Sequence, residues 1–211
     1  MDSFCSFQQT GAEGCCESNP VTWDFETPVN WSYTANAPPC GWQVISTSQA
    51  VEGSHVLYYG DPGAMNFDCG TNEGTATSEM VTLLPGVDYQ LTFKLFQDTE
   101  SGTTYDKLWM YVLVDGKKTT MWTKQNMSPG AMGSWTSYSF DVSGLAGKTV
   151  QFQWEFDSHD GVINDKLGVM VDAMKIISSC EAVSCTNDAD CSDDISSTTG
   201  TCSPTGCTWS L

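Results

Sequence analysis

The chain has 211 residues, of which 40% are hydrophobic and 11% aromatic, and it carries 8 basic against 26 acidic residues. This size suits one full domain with a packed core. The formal net charge of -18 argues against nucleic acid or an anionic membrane as a partner. No run of apolar residues in the sequence is long enough to cross a bilayer.

Ten cysteines in a chain of this size indicate an oxidising compartment, and we therefore interpret them as disulfides. Zinc is the competing explanation, but the chain has only two histidines, His55 and His159, and no pair of C-x-x-C motifs. Met1 does not open a basic and then hydrophobic signal peptide. We expect a secreted protein, extracellular or on a cell surface, whose export signal has been removed.

Composition divides the chain into three segments. Residues 1–20 carry three cysteines among polar residues without strand or helix periodicity, which predicts an N-terminal arm pinned by disulfides. Residues 21–178 are short apolar or alternating runs separated by Gly, Pro, Asn and Asp, the pattern of an antiparallel all-β domain. Residues 179–211 hold few apolar residues and five cysteines, so we expect a tail stapled by disulfides.

Alternation of apolar and polar residues predicts the strands of the central domain. In segment 150–156 the even positions are apolar and the odd positions polar, as one buried and one wet face require. The apolar run 107–114 is separated from the extended run 118–122 by Asp115-Gly116, which predicts a two-residue hairpin. Further strands are predicted at 55–59, 79–83, 89–96, 138–142 and 167–177. These strands are enough for two packed sheets.

Several short phrases follow one another in a recognisable order. The first is Asp24-Phe25-Glu26 with Cys40-Gly41-Trp42, and the next is the strand-like run 55–60 (HVLYYG). Later come 105–108 with its hairpin, Trp135 before a strand, and 168–176 (GVMVDAMKI). Taken together they resemble the MAM domain and the related cleaved-adhesin, or choice-of-anchor, domains of bacterial surface proteins.

The resemblance covers residues 22–177 and implies a two-sheet antiparallel jelly-roll β-sandwich of the galactose-binding-like type. Such domains serve outside cells in adhesion, carbohydrate binding or protein interaction, often with bound calcium. The cysteine that usually precedes the F-E motif is Trp23 here, so the group's cysteine pairing cannot be transferred. In the tail, segment 185–191 (CTNDADC) resembles short cysteine-rich repeats of secreted bacterial proteins.

Asp172 is the most informative single residue of the predicted last strand. If alternation continues along that strand, Asp172 shares a face with Met170, Met174 and Ile176. A buried carboxylate needs a partner or a metal to offset its desolvation. A bound cation is one such solution.

The resemblance implies where this cation would lie, because acids of the first and last strands of that group meet at calcium. Asp24 and Glu26 are two residues apart on the predicted first strand and so point to the same side. We therefore predict a calcium site made by Asp24, Glu26 and Asp172, joined by Asp61. The alternative is that these acids cap turns or accept backbone hydrogen bonds.

Two further groups of residues are candidates for ligand binding. The loop before the last strand carries four polar residues, Asp157, Asp160, Asn164 and Asp165. This loop is either a solvated acidic surface or, more specifically, a second calcium site or a sugar-binding rim. Around the hairpin lie four aromatic residues, Tyr105, Trp109, Tyr111 and Trp122. They form a sugar-binding platform only if that face is uncovered, since core packing explains most of the tryptophans.

The sequence contains no G-x-S-x-G elbow, no H-E-x-x-H motif and no phosphate-cradling loop, and neither histidine has a sequence context typical of a catalytic triad. We therefore expect a non-catalytic extracellular module, stabilised by calcium, that binds a glycan or a surface protein. The alternative is a self-assembling structural subunit of an extracellular fibre, surface layer or multidomain scaffold, joined through its cysteine-rich ends.

Overall fold

The computed structural model describes residues 21–128, 130–179, 199–203 and 206–210. The predicted N-terminal arm, residues 1–20, lies outside these residues, and so do Cys180, Cys185 and Cys191 of the predicted disulfide-stapled tail. The strands, in chain order, are β1 (Val21–Trp23), β2 (Ser32–Ala35), β3 (Gly41–Ser46), β4 (His55–Gly60), β5 (Glu73–Thr77), β6 (Val81–Thr82), β7 (Asp88–Asp98), β8 (Lys107–Val114), β9 (Lys117–Thr123), β10 (Thr136–Asp141), β11 (Thr149–Asp157), β12 (Gly168–Ser179), β13 (Thr199–Ser203) and β14 (Gly206–Ser210).

The strands form two packed antiparallel sheets and a small hairpin. The first sheet has the order β10-β7-β12-β4-β3, with β1 also paired to β12. The second sheet has the order β2-β5-β11-β8-β9, with β6 also paired to β11, while β13 pairs with β14. Two short 3-10 turns, Lys124–Asn126 and Ser143–Leu145, complete the secondary structure of the described residues. The predicted all-β jelly-roll sandwich is confirmed. None of the helical turns in the described residues could span a bilayer.

The core lies between the two sheets and is rich in aromatic rings. The even residues of β11, from Val150 to Phe156, are all buried, as the alternation predicts. Trp154 lies at the centre, with its ring centroid 5.0 Å from that of Phe93 and 6.4 Å from that of Trp42. The contact with Phe93 is edge-to-face, and such contacts add to the stabilisation that burial of such large rings already provides. Core packing thus accounts for most of the tryptophans, as expected.

The hairpin between β8 and β9 is confirmed at the predicted residues. Asp115 has φ 51° and Gly116 has φ 74°, the two positive angles that a tight hairpin turn of this kind requires. The turn fixes the pairing of β8 with β9, in which Val114 lies opposite Lys117. This hairpin carries one side of the surface described below.

The last strand departs from the predicted alternation. The pairing of β12 with β7 shifts register between Asp172 and Lys175, and Ala173 has φ 51°. This β-bulge reverses the phase of the strand, because one extra residue is inserted. Asp172 therefore shares the outer side of its sheet with Met170, whereas Met174 and Ile176 belong to the core between the sheets. The prediction that all four share one face is wrong.

A disulfide joins Cys40, immediately before β3, to Cys69 in the loop before β5. The two Cα atoms are 6.1 Å apart and the residues are 29 positions apart in the chain. Cys40 is fully buried and belongs to the main core. The covalent link therefore lies inside the sandwich, and cysteine usage is not confined to the ends of the chain.

Candidate functional site

The second sheet presents a polar and aromatic surface on the side away from the core. In β8, Leu108 and Met110 are buried in the core while Lys107, Trp109 and Tyr111 between and beside them are half-buried. Because successive side chains of a strand point to opposite sides, these three residues face outward. We call this surface the outer face, and its central members are Thr75, Thr77, Gln153, Glu155, Asp157, Lys107, Trp109 and Tyr111.

The register of the strands brings aromatic and acidic side chains of the outer face side by side. Across the β11–β8 ladder, Glu155 lies opposite Trp109 and Gln153 lies opposite Tyr111. Directly opposed residues of this kind have Cβ atoms about 4.5–5.5 Å apart. A carboxylate and an amide therefore stand next to two aromatic rings, with no intervening strand.

One end of the outer face is an acidic depression of about 350 Å³. Its carboxylates are Glu73, Glu155 and Asp157, and its other polar residues include Asn36 and Thr75. Glu73 lies directly opposite Asp157 across the β5–β11 ladder. Like charges in this arrangement destabilise a strand pair, so the sheet holds these hydrogen-bond acceptors together at a cost in stability.

The other end of the outer face is a smaller pocket of about 230 Å³ beside β8 and β9. The lining residues are Thr103, Lys107, Leu108, Trp109, Thr123, Lys124 and Gln125. Elsewhere on this face, the Lys118 Nζ atom lies 2.7 Å from Oε2 of Glu155 and 4.8 Å from the centroid of the Tyr111 ring. The outer face thus changes from acidic to basic along one direction, across the strands.

Of the four aromatic residues predicted as a platform, Trp109 and Tyr111 lie on the outer face, and Tyr105 is exposed in the loop before β8. Trp122 is only 2% exposed and packs against Tyr138 and Trp154 in the core. Its predicted place at the surface is wrong. The register of β9 shifts by one residue opposite Met110 and Tyr111, and this bulge turns Trp122 inward.

The loop after β11 is held mainly by its own hydrogen bonds. Asp157 accepts from the backbone N–H of His159 at 2.7 Å, and Asp160 from that of Val162 at 2.9 Å. Asn164 is buried and donates to the carbonyls of residues 70 and 160. Asp165 is exposed. Of the four polar residues predicted here as ligands, Asp157 lines the acidic depression.

A buried acid, Asp106, joins this loop to the loop before β8. Its Oδ2 accepts from the backbone N–H of Glu100 at 2.8 Å, and its own N–H donates to the carbonyl of Ser158 at 3.2 Å. Burial raises the pKa of Asp106 to about 6. Close by, Nζ of Lys124 donates to the carbonyl of Tyr105 at 3.2 Å, and burial lowers the pKa of this lysine. Sequence reasoning assigned no role to Lys124, because a lone lysine gives no sign that it will be buried.

The predicted calcium ligand Asp172 is fully buried on the opposite sheet, where backbone N–H groups surround its carboxylate. Oδ2 accepts from Val51 at 2.7 Å and from Glu52 at 3.0 Å. Oδ1 accepts from Ala173 at 2.6 Å. Three hydrogen bonds from backbone N–H groups offset much of the cost of burying a charge.

Glu26, near the start of the domain in sequence, binds the same segment of chain, residues 51–55. Its Oε1 accepts from the backbone N–H of Ser54 at 2.6 Å and of His55 at 2.7 Å, and Oε2 lies 3.1 Å from Nδ1 of His55. The hydrogen bonds from Ser54 and then His55 lower the pKa of Glu26 to about 2. Acids near the start and the end of the domain thus converge on five consecutive residues.

Three of the predicted ligands are placed differently from expectation. β1 ends at Trp23, so Asp24 and Glu26 lie in a turn, and Asp24 accepts the N–H of Glu26. Asp61 follows the far end of β4, roughly 20 Å from His55 at about 3.3 Å per residue. Its prediction as a partner of Glu26 is therefore wrong. The described residues contain no group of three or more His, Cys, Asp and Glu disposed to hold a metal ion.

No protein-family model and no curated protein matches the sequence. Solved structures do resemble it. The carbohydrate-binding module TmCBM61, in complex with β-1,4-galactotriose, is 11% identical, with a TM-score of 0.50 over 71% of this chain and 89% of that chain. The K1 cleaved adhesin domain of Lys-gingipain from Porphyromonas gingivalis W83 is 15% identical, with a TM-score of 0.44 over 74% of this chain and 96% of that chain.

A cyclase from Fischerella sp. TAU is also similar, at 13% identity and a TM-score of 0.45 over 76% of this chain and 98% of that chain. At such identities the likeness to TmCBM61 shows the fold alone, and the function has to be argued from the side chains of this chain.

Proposed function

We propose that this protein is a non-catalytic extracellular module that binds a glycan across the outer face of its second sheet. The observation that carries the proposal is the register that sets Trp109 and Tyr111 beside Glu155 and Gln153. A sugar ring has an apolar face, which stacks on aromatic rings, and hydroxyls, which carboxylates and amides bind. Both kinds of group are available here on adjacent strands.

Two further observations support this proposal. The Cys40–Cys69 disulfide fits an oxidising compartment, as expected of an extracellular protein. TmCBM61, a sandwich of similar fold, was solved in complex with β-1,4-galactotriose. The alternative of a structural subunit depends on the cysteine-rich ends, which lie largely outside the described residues, and it stays a prediction.

Replacing Trp109 with alanine should weaken glycan binding by about thirtyfold, because a central aromatic contact typically contributes about 2 kcal/mol. Tyr111→Ala should have a smaller effect in the same direction. The measurement is a glycan panel followed by isothermal titration calorimetry with the best ligand.

The matched control is Tyr33→Ala. Tyr33 is also an exposed aromatic residue of the second sheet, but its neighbour Thr34 occupies the outer side, so Tyr33 points the other way. Binding by this variant should equal that of the wild type. Unchanged binding by Trp109→Ala, or no binding of the wild type to any glycan in the panel, would contradict the proposal.

We also propose that calcium stabilises the domain at Glu26 and Asp172. The convergence of both carboxylates on residues 51–55 supports this idea, and Asp24 is joined to the group through the N–H of Glu26. Calcium prefers carboxylate and carbonyl oxygens. In the arrangement described above, backbone N–H groups supply the positive partners of the Glu26 and Asp172 carboxylates. A bound calcium ion would add further positive charge beside them.

Adding EDTA should lower the melting temperature by several degrees, since a ligand that binds only the folded state stabilises it by mass action. Glu26→Gln should remove this response while keeping one side-chain oxygen that can accept the N–H groups of Ser54 and His55. Asp61→Asn, at the other end of β4, should keep the response. A wild-type protein insensitive to EDTA would leave Glu26 and Asp172 with hydrogen bonding as their only role.

A further inference from the structure

The lysines of this acidic protein are unevenly distributed. Segment 107–126, which comprises β8, β9 and the 3-10 turn after them, holds four of the chain's eight basic residues. Its only acidic residue is Asp115, so four positive charges and one negative charge give a net +3 in a chain of -18. This segment also carries Trp109 and Tyr111 on the outer face. Segment 107–126 is therefore a basic and aromatic patch in an otherwise acidic protein.

The pocket beside β8 and β9 is the most concentrated part of this patch. Lys107 and Lys124 line it together with Trp109, and its lining within the described chain includes no carboxylate. Its volume of about 230 Å³ is below the range of about 300–1,000 Å³ usual for whole ligands, so it suits one small group of a longer molecule.

Lys124 makes this pocket different from a group of surface lysines. It is only 5% exposed, and Nζ makes one hydrogen bond, to the carbonyl of Tyr105, among the described residues. An ammonium group has three donors, so donor capacity remains on a desolvated cation. Asp106 and Glu100 lie near enough to offset part of this charge, but the ion pairs among the described residues do not include Lys124. An anionic ligand group would compensate the remainder.

The neighbouring strands restrict what kind of anion fits. Glu73, Glu155 and Asp157 occupy the acidic depression on the same face. A polymer with a charge on every unit would place anions against these carboxylates. A mainly neutral chain with one charge at the β8–β9 pocket avoids that repulsion, while its hydroxyls can donate to the same carboxylates.

We propose that the glycan bound by the outer face carries an isolated uronate residue, whose carboxylate binds at Lys107 and Lys124 while its ring packs on Trp109. This inference rests on the proposed glycan-binding function and specifies the ligand class. It separates the two ends of the face by chemistry: carboxyl recognition at the β8–β9 pocket and hydroxyl recognition at the acidic depression.

The test compares glycans that differ only in the carboxyl group. The probes are xylan and arabinogalactan with sparse glucuronate branches, the carboxyl-reduced form of each, polygalacturonate, a sulfated galactan and single-stranded DNA. A branched glycan should bind about tenfold more tightly than its carboxyl-reduced form, as expected for a charge-assisted hydrogen bond. This preference should shrink as salt screens the charges.

Each other outcome has a distinct meaning. Equal binding of both members of a pair would overturn the uronate assignment and leave the glycan-binding function standing. Binding of no glycan would overturn the glycan-binding function as well. Tighter binding of polygalacturonate or DNA would show a general polyanion site, and equal binding of the sulfated galactan would show an anion site without selection for carboxylate. Either result would overturn the inference.

Lys107→Gln should reduce the tenfold preference to near unity. The matched control is Lys148→Gln, which makes the same charge change just before β11, at the opposite end of that strand from Asp157. This control should keep the full preference. A retained preference in Lys107→Gln and also in Lys124→Gln, with both variants folded by circular dichroism, would place the carboxylate elsewhere.

Discussion

Replacement of Asp172 by alanine is expected to lower the free energy of unfolding by about 3 kcal/mol. The substitution leaves the backbone N–H groups of Val51, Glu52 and Ala173 without the carboxylate that they now bind. A buried donor left without a partner costs about 1–3 kcal/mol, and solvent can reach the partly buried amides of Val51 and Glu52 in part. The loss is large against a typical total of about 5–15 kcal/mol.

Urea unfolding followed by tryptophan fluorescence measures this effect. Asp61→Ala is the matched control, because the Asp61 carboxylate accepts one N–H, from Gly63, in an exposed turn. That variant should lose less than about 1 kcal/mol. If both variants unfold at the same urea concentration, the buried carboxylate does not organise residues 51–55.

Removal of the Cys40–Cys69 disulfide, as the double alanine variant, should cost about 3–4 kcal/mol. The bond closes a loop with a sequence separation of 29 residues, and such a crosslink restricts the unfolded chain by about this amount. Because Cys40 is buried in the core, the truncation also removes packing. Because Cys40 and Cys69 are paired, reductant should destabilise the central sandwich.

The measurement is the unfolding midpoint with and without dithiothreitol. The wild-type midpoint should fall on reduction, whereas the midpoint of the double variant should change much less. A double variant as stable as the wild type would mean that this bond does not constrain the unfolded chain.

Much of the fold could be predicted from sequence, because several strands have one dry and one wet side. β11 shows strict alternation, and the pair Asp115-Gly116 is a typical sequence for a two-residue hairpin turn. β2 and β5 gave no such signal. All four residues of β2 are exposed, and β5 buries the small residues Gly74 and Ala76. A Cβ atom at Gly74 would lie 2.5 Å from the carbonyl oxygen of Thr34. The close approach of β2 and β5 therefore requires glycine at this buried position, and glycine gives no apolar signal in the sequence.

The site was harder to predict because β-bulges change the side of the sheet on which two of the predicted residues lie. Asp172 and Trp122 both lie next to β-bulges, at which the pairing slips by one residue. A slip of one residue moves every following side chain to the other side of the sheet. Periodicity therefore identifies the strand but assigns the wrong side to residues beyond the bulge. Trp109 and Tyr111, by contrast, lie on the outer face because the alternation of buried and half-buried residues is unbroken from Lys107 to Tyr111, and their role in binding stays a prediction.

Glu26 and Asp172 bind different backbone amides within residues 51–55, so the exchange of these amides reports separately on the first and the last strand of the domain. Loss of the turn that carries Glu26 would release the amides of Ser54 and His55 to solvent, while those of Val51 and Glu52 would stay protected as long as β12 holds Asp172 in place. Four nearly adjacent amide protons, read by hydrogen exchange, would thus distinguish fraying of the first strand from detachment of the last.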